Sequence, residues 1–236
     1  MHLFEYNSFK LTKKITEVIE QLQIIDNELI DTKLQNLVAF NHTYLIITRN
    51  VYEKIEKSYF YNDTLMEKID VNFGNYYFRA LDNYLNKNHC PKAWKILFDS
   101  CIEDNKFQFI YMALGVNAHV NNDLPQTLAD VMQGSRFRHD FLLINDIIKH
   151  SLHEVVRSLR EKNLLINATK NVFEKLYAYY LNNLISKWRK EAWSSYLKLI
   201  ENKINIQAIE SQAKKKAEIL VGINSLLDIP KILRAR

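Results

Sequence analysis

His119 and Asp123 stand four residues apart in the stretch Ala113-Leu114-Gly115-Val116-Asn117-Ala118-His119-Val120-Asn121-Asn122-Asp123-Leu124-Pro125. On a helix that spacing puts both side chains on one face, where they can meet. Such a pair can ligate a divalent metal, or the carboxylate can orient the imidazole as a general base. Asn117 and Asn121 repeat the spacing alongside. Spacing alone also fits a plainer arrangement: Asp123 caps the helix that opens at Leu124-Pro125, and His119 is a satisfied core histidine. Asp140 adds a second carboxylate on one face with Ile144 and Ile147. A carboxylate on an apolar stripe is costly unless it is paired or binds a metal.

The elements that must position these residues are helices. The chain has 236 residues with 4 Gly and 3 Pro. That is roughly 3%, where average usage gives about 12%. Gly74, Gly115, Gly134 and Gly222 are too few and too isolated for the turns of a β-sandwich or for a phosphate-binding loop. Apolar residues recur at helical spacing almost throughout. The fold class is therefore all-α, a single-domain bundle of about eight helices. The periodicity predicts helices over 10–30 and 33–58. A third starts near 64, at the capping box Thr64-Leu65-Met66-Glu67. Others start at Pro91 and Asn105, and a break falls at Leu124-Pro125. Long helices over 137–161, 168–200 and 205–227 complete the set. Gly74, inside the third helix, predicts close packing or room for a ligand. Gln133-Gly134-Ser135 is the clearest loop. No repeat or linker divides residues 1–236.

Charge and cysteines bound the function. The net charge is +5. The basic residues are scattered, with clusters only at Lys214–Lys216 and at Lys231, Arg234 and Arg236, so no nucleic-acid partner is expected. Cys90 and Cys101 would lie about 16 Å apart along a helix, too far for a disulfide, which suits a reducing cytoplasm. The start of the chain lacks a signal-peptide pattern. The longest uncharged run, Phe107 to Asn122, is too short and polar to span a bilayer. The 13 Tyr and 12 Phe suit a helical core or an aromatic-lined pocket.

Six motifs follow one another along the chain: Tyr44-Leu45 with Thr48; Phe73 with Asn75-Tyr76-Tyr77 and Ala80-Leu81; Ala93-Trp94; the Gly115 to Pro125 segment; Asp140-Phe141 with Asn145; and Arg189 with Ala192-Trp193. In this order they resemble domain-of-unknown-function family 5995, a set of mainly bacterial, all-helical proteins, over about 40–227. The chain departs from that pattern at Tyr76, where the family carries Arg, and at Arg79, where a small or acidic residue is usual. The resemblance implies no reaction. It does imply that Tyr44, Asn75, Asn117, His119, Asp123, Asp140, Asn145 and Arg189 recur together.

The leading expectation is a small-molecule enzyme with an aromatic-lined interior pocket. His119, Asp123 and Asp140 are its catalytic candidates, and the same three would ligate a divalent metal in a metal-dependent hydrolase. Tyr44, Asn75, Asn117 and Asn145 would hydrogen-bond the substrate, and Arg189 would counter an anionic group. The alternatives are a non-catalytic lipid- or ligand-binding bundle, or an interaction protein whose polar network fixes helix register. Either of the first two takes an apolar or aromatic small molecule as partner. His42 is expected to border the pocket. Trp94, Trp188 and Trp193 read as core, and His139, His150, His153 and Lys214–Lys216 as solvated. Asn145, Lys149 and His153 share the spacing of the terpene-synthase metal triad, but the last two residue types are wrong for it.

Overall fold

The heptad-like run Ile15, Val18, Leu22, Ile25 and Leu29 is fully buried, and it builds the first helix as the periodicity requires. The computed structural model describes residues 11–103, 106–132, 134–161 and 171–226. Among them are nine α-helices and no strand. These are α1 (Ile15–Glu28), α2 (Val38–Glu56), α3 (Asp63–Leu85), α4 (Lys92–Glu103), α5 (Gln108–Asn117), α6 (Leu124–Val131), α7 (Arg138–Glu161), α8 (Asn171–Ile200) and α9 (Ile206–Leu226). The expected helix starts at Asn105 and 168, the end at 227, and the Lys231, Arg234 and Arg236 cluster lie outside the described residues, as does Gln133. Cys90 and Cys101 form no disulfide with each other. No helix of the described residues is long and apolar enough to cross a membrane.

Two segments form the centre. Residues 38–46 of α2 are buried all round, and so is the run from Ile110 to Pro125. A helix buried on every side must be surrounded by others. α1, α5 and α7 pack on α2, and α4, α9 and α3 enclose the second segment with α8. One apolar core runs through all of them.

Local chemistry departs from the sequence expectation at two helix starts. The α3 cap is Asn62, whose side chain accepts from the Leu65 amide at 3.0 Å, and not the Thr64 box. Glu67, the expected box partner, instead accepts from the Ile15 amide at 3.3 Å. Pro125 does not break the chain into separate helices. Ala118–Asp123 widens into a π-helical turn that joins α5 to α6, with Pro125 in the first turn of α6. A proline ring clashes with the carbonyl four residues earlier. The wider turn, closed by the Leu124 amide on the His119 carbonyl, relieves that clash.

The glycines mark close packing. A Cβ on Gly115 would lie 2.4 Å from Phe40 Cγ and 2.6 Å from Phe40 Cβ, parts of the ring stem that cannot swing away. A Cβ on Gly74 would lie 2.8 Å from Val18. Gly222, in α9, faces open space. Gly115→Ala is expected to cost about 1–3 kcal/mol by overpacking and to lower Tm by roughly 3–10 °C. Gly222→Ala is expected to leave Tm unchanged or raise it slightly. Calorimetry on both variants checks this, and equal Tm values would contradict the packing.

Candidate active site

The π turn is where the polar residues converge. All six of its residues are buried. Asp123 is fully buried and accepts from three donors. Trp94 Nε1 donates to it at 2.9 Å and 3.2 Å, Asn122 Nδ2 at 2.8 Å, and His119 Nδ1 at 3.1 Å. A carboxylate only accepts, so the His119 proton sits on Nδ1. The other nitrogen, Nε2, then carries a lone pair, and it has no partner despite being buried. The ring is fixed from its face as well, stacked on Phe73 with centroids 3.4 Å apart and planes 9° apart. The Tyr44 ring meets it edge-on at 4.5 Å. Burial pushes the His119 pKa below its usual value, against the opposing pull of Asp123. His119 is therefore a neutral, oriented imidazole with a free basic nitrogen.

His119 lines a cavity of about 80 Å³ bounded by α2, α3, α5, the π turn, the start of α6, α7 and α8. Phe40, Phe73, Val120, Phe141, Ile144 and Ile185 make most of its wall apolar. Half-buried Ile47, Asp70 and Phe73 mark where the lining comes nearest to solvent. Four polar side chains reach it: Tyr44, Asp70, His119 and Arg189, with Thr43 beside them. The Tyr44 hydroxyl is buried without a partner; Thr48 stands next to it, but the two lack hydrogen-bond geometry. Burial, then the Asp70 charge, raises the Tyr44 pKa well above its usual value, so the phenol stays protonated. Asp70 keeps part of its surface exposed, yet its Oδ1 is sealed from solvent and unpartnered. Burial, then the nearby Glu67 charge, raises the Asp70 pKa to about 7.

Arg189 comes from α8. Its Nε donates to Asn145 Oδ1 at 2.7 Å and its Nη2 to the Phe141 carbonyl at 2.9 Å. The guanidinium lies 4.3 Å from the Phe141 ring centroid. Asn145 therefore positions Arg189, where a direct contact with substrate was expected.

The other expected site residues are elsewhere. Asp140 is 1% exposed, but its two oxygens accept from the Tyr61 and Asn62 amides, each at 3.0 Å. Both oxygens are thus held by the backbone before α3, where a catalytic or metal-binding part with His119 and Asp123 was expected. Among the described residues no three His, Cys, Asp or Glu side chains stand where they could share a metal. Within the expected triad, only His119 Nε2 remains open. Asn75, expected to bind substrate, instead bonds the Thr12 amide, hydroxyl and carbonyl and so ties the segment before α1 to α3. Asn117 donates to the Ala213 carbonyl of α9 at 2.8 Å and accepts from Asn121, so it is a helix tie. Lys216, expected to be solvated, bonds Asn121 and Glu191. His42 does not line the cavity. Its Nδ1 meets Asp26 at 2.8 Å and its Nε2 meets Ser158 at 2.7 Å. That chain ties α1, α2 and α7 together, and Ser158 sits within α7, where neighbouring amides are spent on the helix.

Sequence reasoning missed Asp70 and gave Trp94 only a packing role. Asp70 carried a signal: it lies four residues after Met66 and three before Phe73, on the apolar stripe of α3. The same criterion that picked Asp140 applies to it.

The profile of a family of unknown function (DUF5995) matches residues 15–223. The match takes in α1, ahead of the region over which the motifs resemble the family. No curated protein and no solved structure matches the chain.

The raised pKa of Asp70 has a signed consequence for stability. Between the ordinary aspartate value near 4 and about 7, the folded protein holds a proton that the unfolded chain has lost. The Asp70 contribution to stability is present below pH 4 and lost as pH rises through 7. Asp70→Asn removes that loss, so the variant is expected to gain on the wild type by about 2–4 kcal/mol between pH 4 and pH 8. Urea denaturation at both pH values measures the difference, and a pH-independent difference would contradict the assignment.

Proposed function

We propose that this chain, which belongs to the family of unknown function DUF5995, is an enzyme of general acid–base type that hydrolyses a small acyl compound inside the apolar cavity. One observation carries the reading. His119, whose Nε2 has no partner, and Asp70, an acid shifted to about 7, line the same cavity, and burial moves their pKa values in opposite directions. Environments that split two titratable groups in this way assign the base and the acid. Between the lowered His119 pKa and about pH 7, His119 is unprotonated while Asp70 keeps its proton in half or more of the molecules.

In this reading a water bound beside His119 gives a proton to Nε2 as its oxygen attacks the acyl carbon. Asp123 keeps the ring in the Nδ1–H form and stabilises the imidazolium while it lasts. The Tyr44 hydroxyl donates to the oxygen that gains charge. The bond to the leaving group then breaks, and that group takes the proton of Asp70. The His119 proton returns to Asp70 through solvent or product, which closes the cycle. The net change is addition of one water across the acyl bond. A metal held by His119, Asp123 and Asp140 does not enter this scheme, because the oxygens of Asp123 and Asp140 are already committed. The lipid-binding alternative needs more volume. At about 10–15 Å³ per water, the cavity takes roughly five to eight waters, enough for one ring or a short acyl chain.

A panel of small aromatic and short-chain esters and amides tests the proposal. The expected kcat/KM profile is bell-shaped. Its acid limb falls below the usual histidine value, and its alkaline limb centres on about pH 7 from Asp70. His119→Gln is expected to lower kcat about 10²–10⁴-fold with Tm retained. Asp70→Asn is expected to lower kcat and abolish the alkaline limb. Turnover unaffected by His119→Gln, or no turnover across the panel, would overturn the proposal.

A further inference from the structure

We infer that the compound bound in this cavity is an apolar monocarboxylate, with Arg189 as its counter-ion; the inference rests on the cavity being the substrate site. Arg189 is 5% exposed, and among the described residues no carboxylate pairs with it. A buried cation without a counter-ion is expensive, and removing it from water is not repaid by neutral acceptors alone. Burial accordingly lowers its pKa to about 9. Protein groups use its Nε and one Nη2 hydrogen. A guanidinium has five N–H donors in a planar fork. Three therefore remain, and the residue lines the cavity.

Three features narrow the ligand. The first is charge: one guanidinium neutralises one negative charge. A phosphate monoester carries about −1.5 to −2 at neutral pH and would leave an uncompensated charge against an apolar wall. The second is shape: a carboxylate matches a planar pair of N–H donors, and such pairs gain from two parallel bonds. The third is the wall. Phe141 and Ile185 lie beside Arg189 around the cavity, with Ile144 and Ile148 continuing the apolar surface. An apolar body with a single carboxylate satisfies both parts. Asn145 and the Phe141 ring hold the guanidinium in place before the ligand arrives, so little ordering is left to pay on binding.

Titration calorimetry with benzoate, butanoate, benzamide, butanamide and phenyl phosphate tests this on the full chain. Both carboxylates are expected to bind at least tenfold more tightly than their amides. Arg189→Met is expected to abolish that preference. His119→Gln is expected to retain it, so that loss of the catalytic reading and loss of this one are distinguishable. The wild-type comparison stands alone if Arg189→Met fails to fold. Equal binding of acid and amide, no binding of either acid, or phenyl phosphate as the tightest ligand would overturn the inference.

Discussion

A carboxylate in the middle of a helical core is the constraint around which this molecule is arranged. Asp123 has no exposed surface, and its lone pairs are met by a tryptophan from α4, a histidine and an asparagine from its own turn. Supplying those donors requires α4 to press Trp94 against the π turn. Holding the donors in place requires the wall of rings around them. Trp94 stacks on Tyr77 and Phe98, and Phe40 meets Trp94, Tyr77 and His119 edge-on. Gly115 is small because Phe40 must reach this cluster. The π turn itself joins the demands of Pro125 to the meeting of His119 with Asp123. Leaving any one donor out would strand a buried charge, which costs more than the bond contributes.

The result is a site with two kinds of polar residue. One kind is fully satisfied and ties elements together: Asp140 on the α3 start, Asn75 on Thr12, Asn117 on α9, and the Asp26–His42–Ser158 chain across α1, α2 and α7. The other kind belongs to residues that line the cavity and holds a buried atom without a partner: His119 Nε2, the Tyr44 hydroxyl and Asp70 Oδ1. Folding alone does not require the second kind, since each unmet atom is a cost. Unmet atoms also occur on Thr48, Gln108, Asn122, Thr127 and Asn182, and what marks these three residues is that they line one cavity.

The sequence carried the fold class plainly. Helical spacing and the shortage of glycine and proline left no other architecture, and helix ends were legible to within about five residues, the first two helices starting at Ile15 and Val38 where 10 and 33 were expected. The pairing of His119 with Asp123 was also legible, because four residues bring side chains together in an α-helix or in this wider turn. The sorting of the remaining polar residues was not. Asp140 and Asp70 occupy equivalent positions on apolar stripes. What distinguishes them is whether backbone amides from a distant segment arrive, and that is a tertiary property. The same holds for Asn75, whose partner lies 63 residues away, and for His42, whose ring turns to Asp26 and Ser158 instead of the cavity. Pro125 misled locally: its rule forbids an ordinary α turn, but a π turn meets the rule without ending the helix.

The central claim is that His119, a residue of the cavity wall, is a neutral imidazole with its proton on Nδ1 and the lone pair of Nε2 unpartnered. Nitrogen-15 NMR of the histidine ring, followed from pH 8 down to pH 5 and assigned through His119→Gln, reads this directly. The expected spectrum shows the Nδ1–H tautomer at neutral pH, with protonation setting in only below the pH at which an ordinary histidine titrates. An Nε2–H tautomer, or an imidazolium already formed at pH 6.5, would contradict the account.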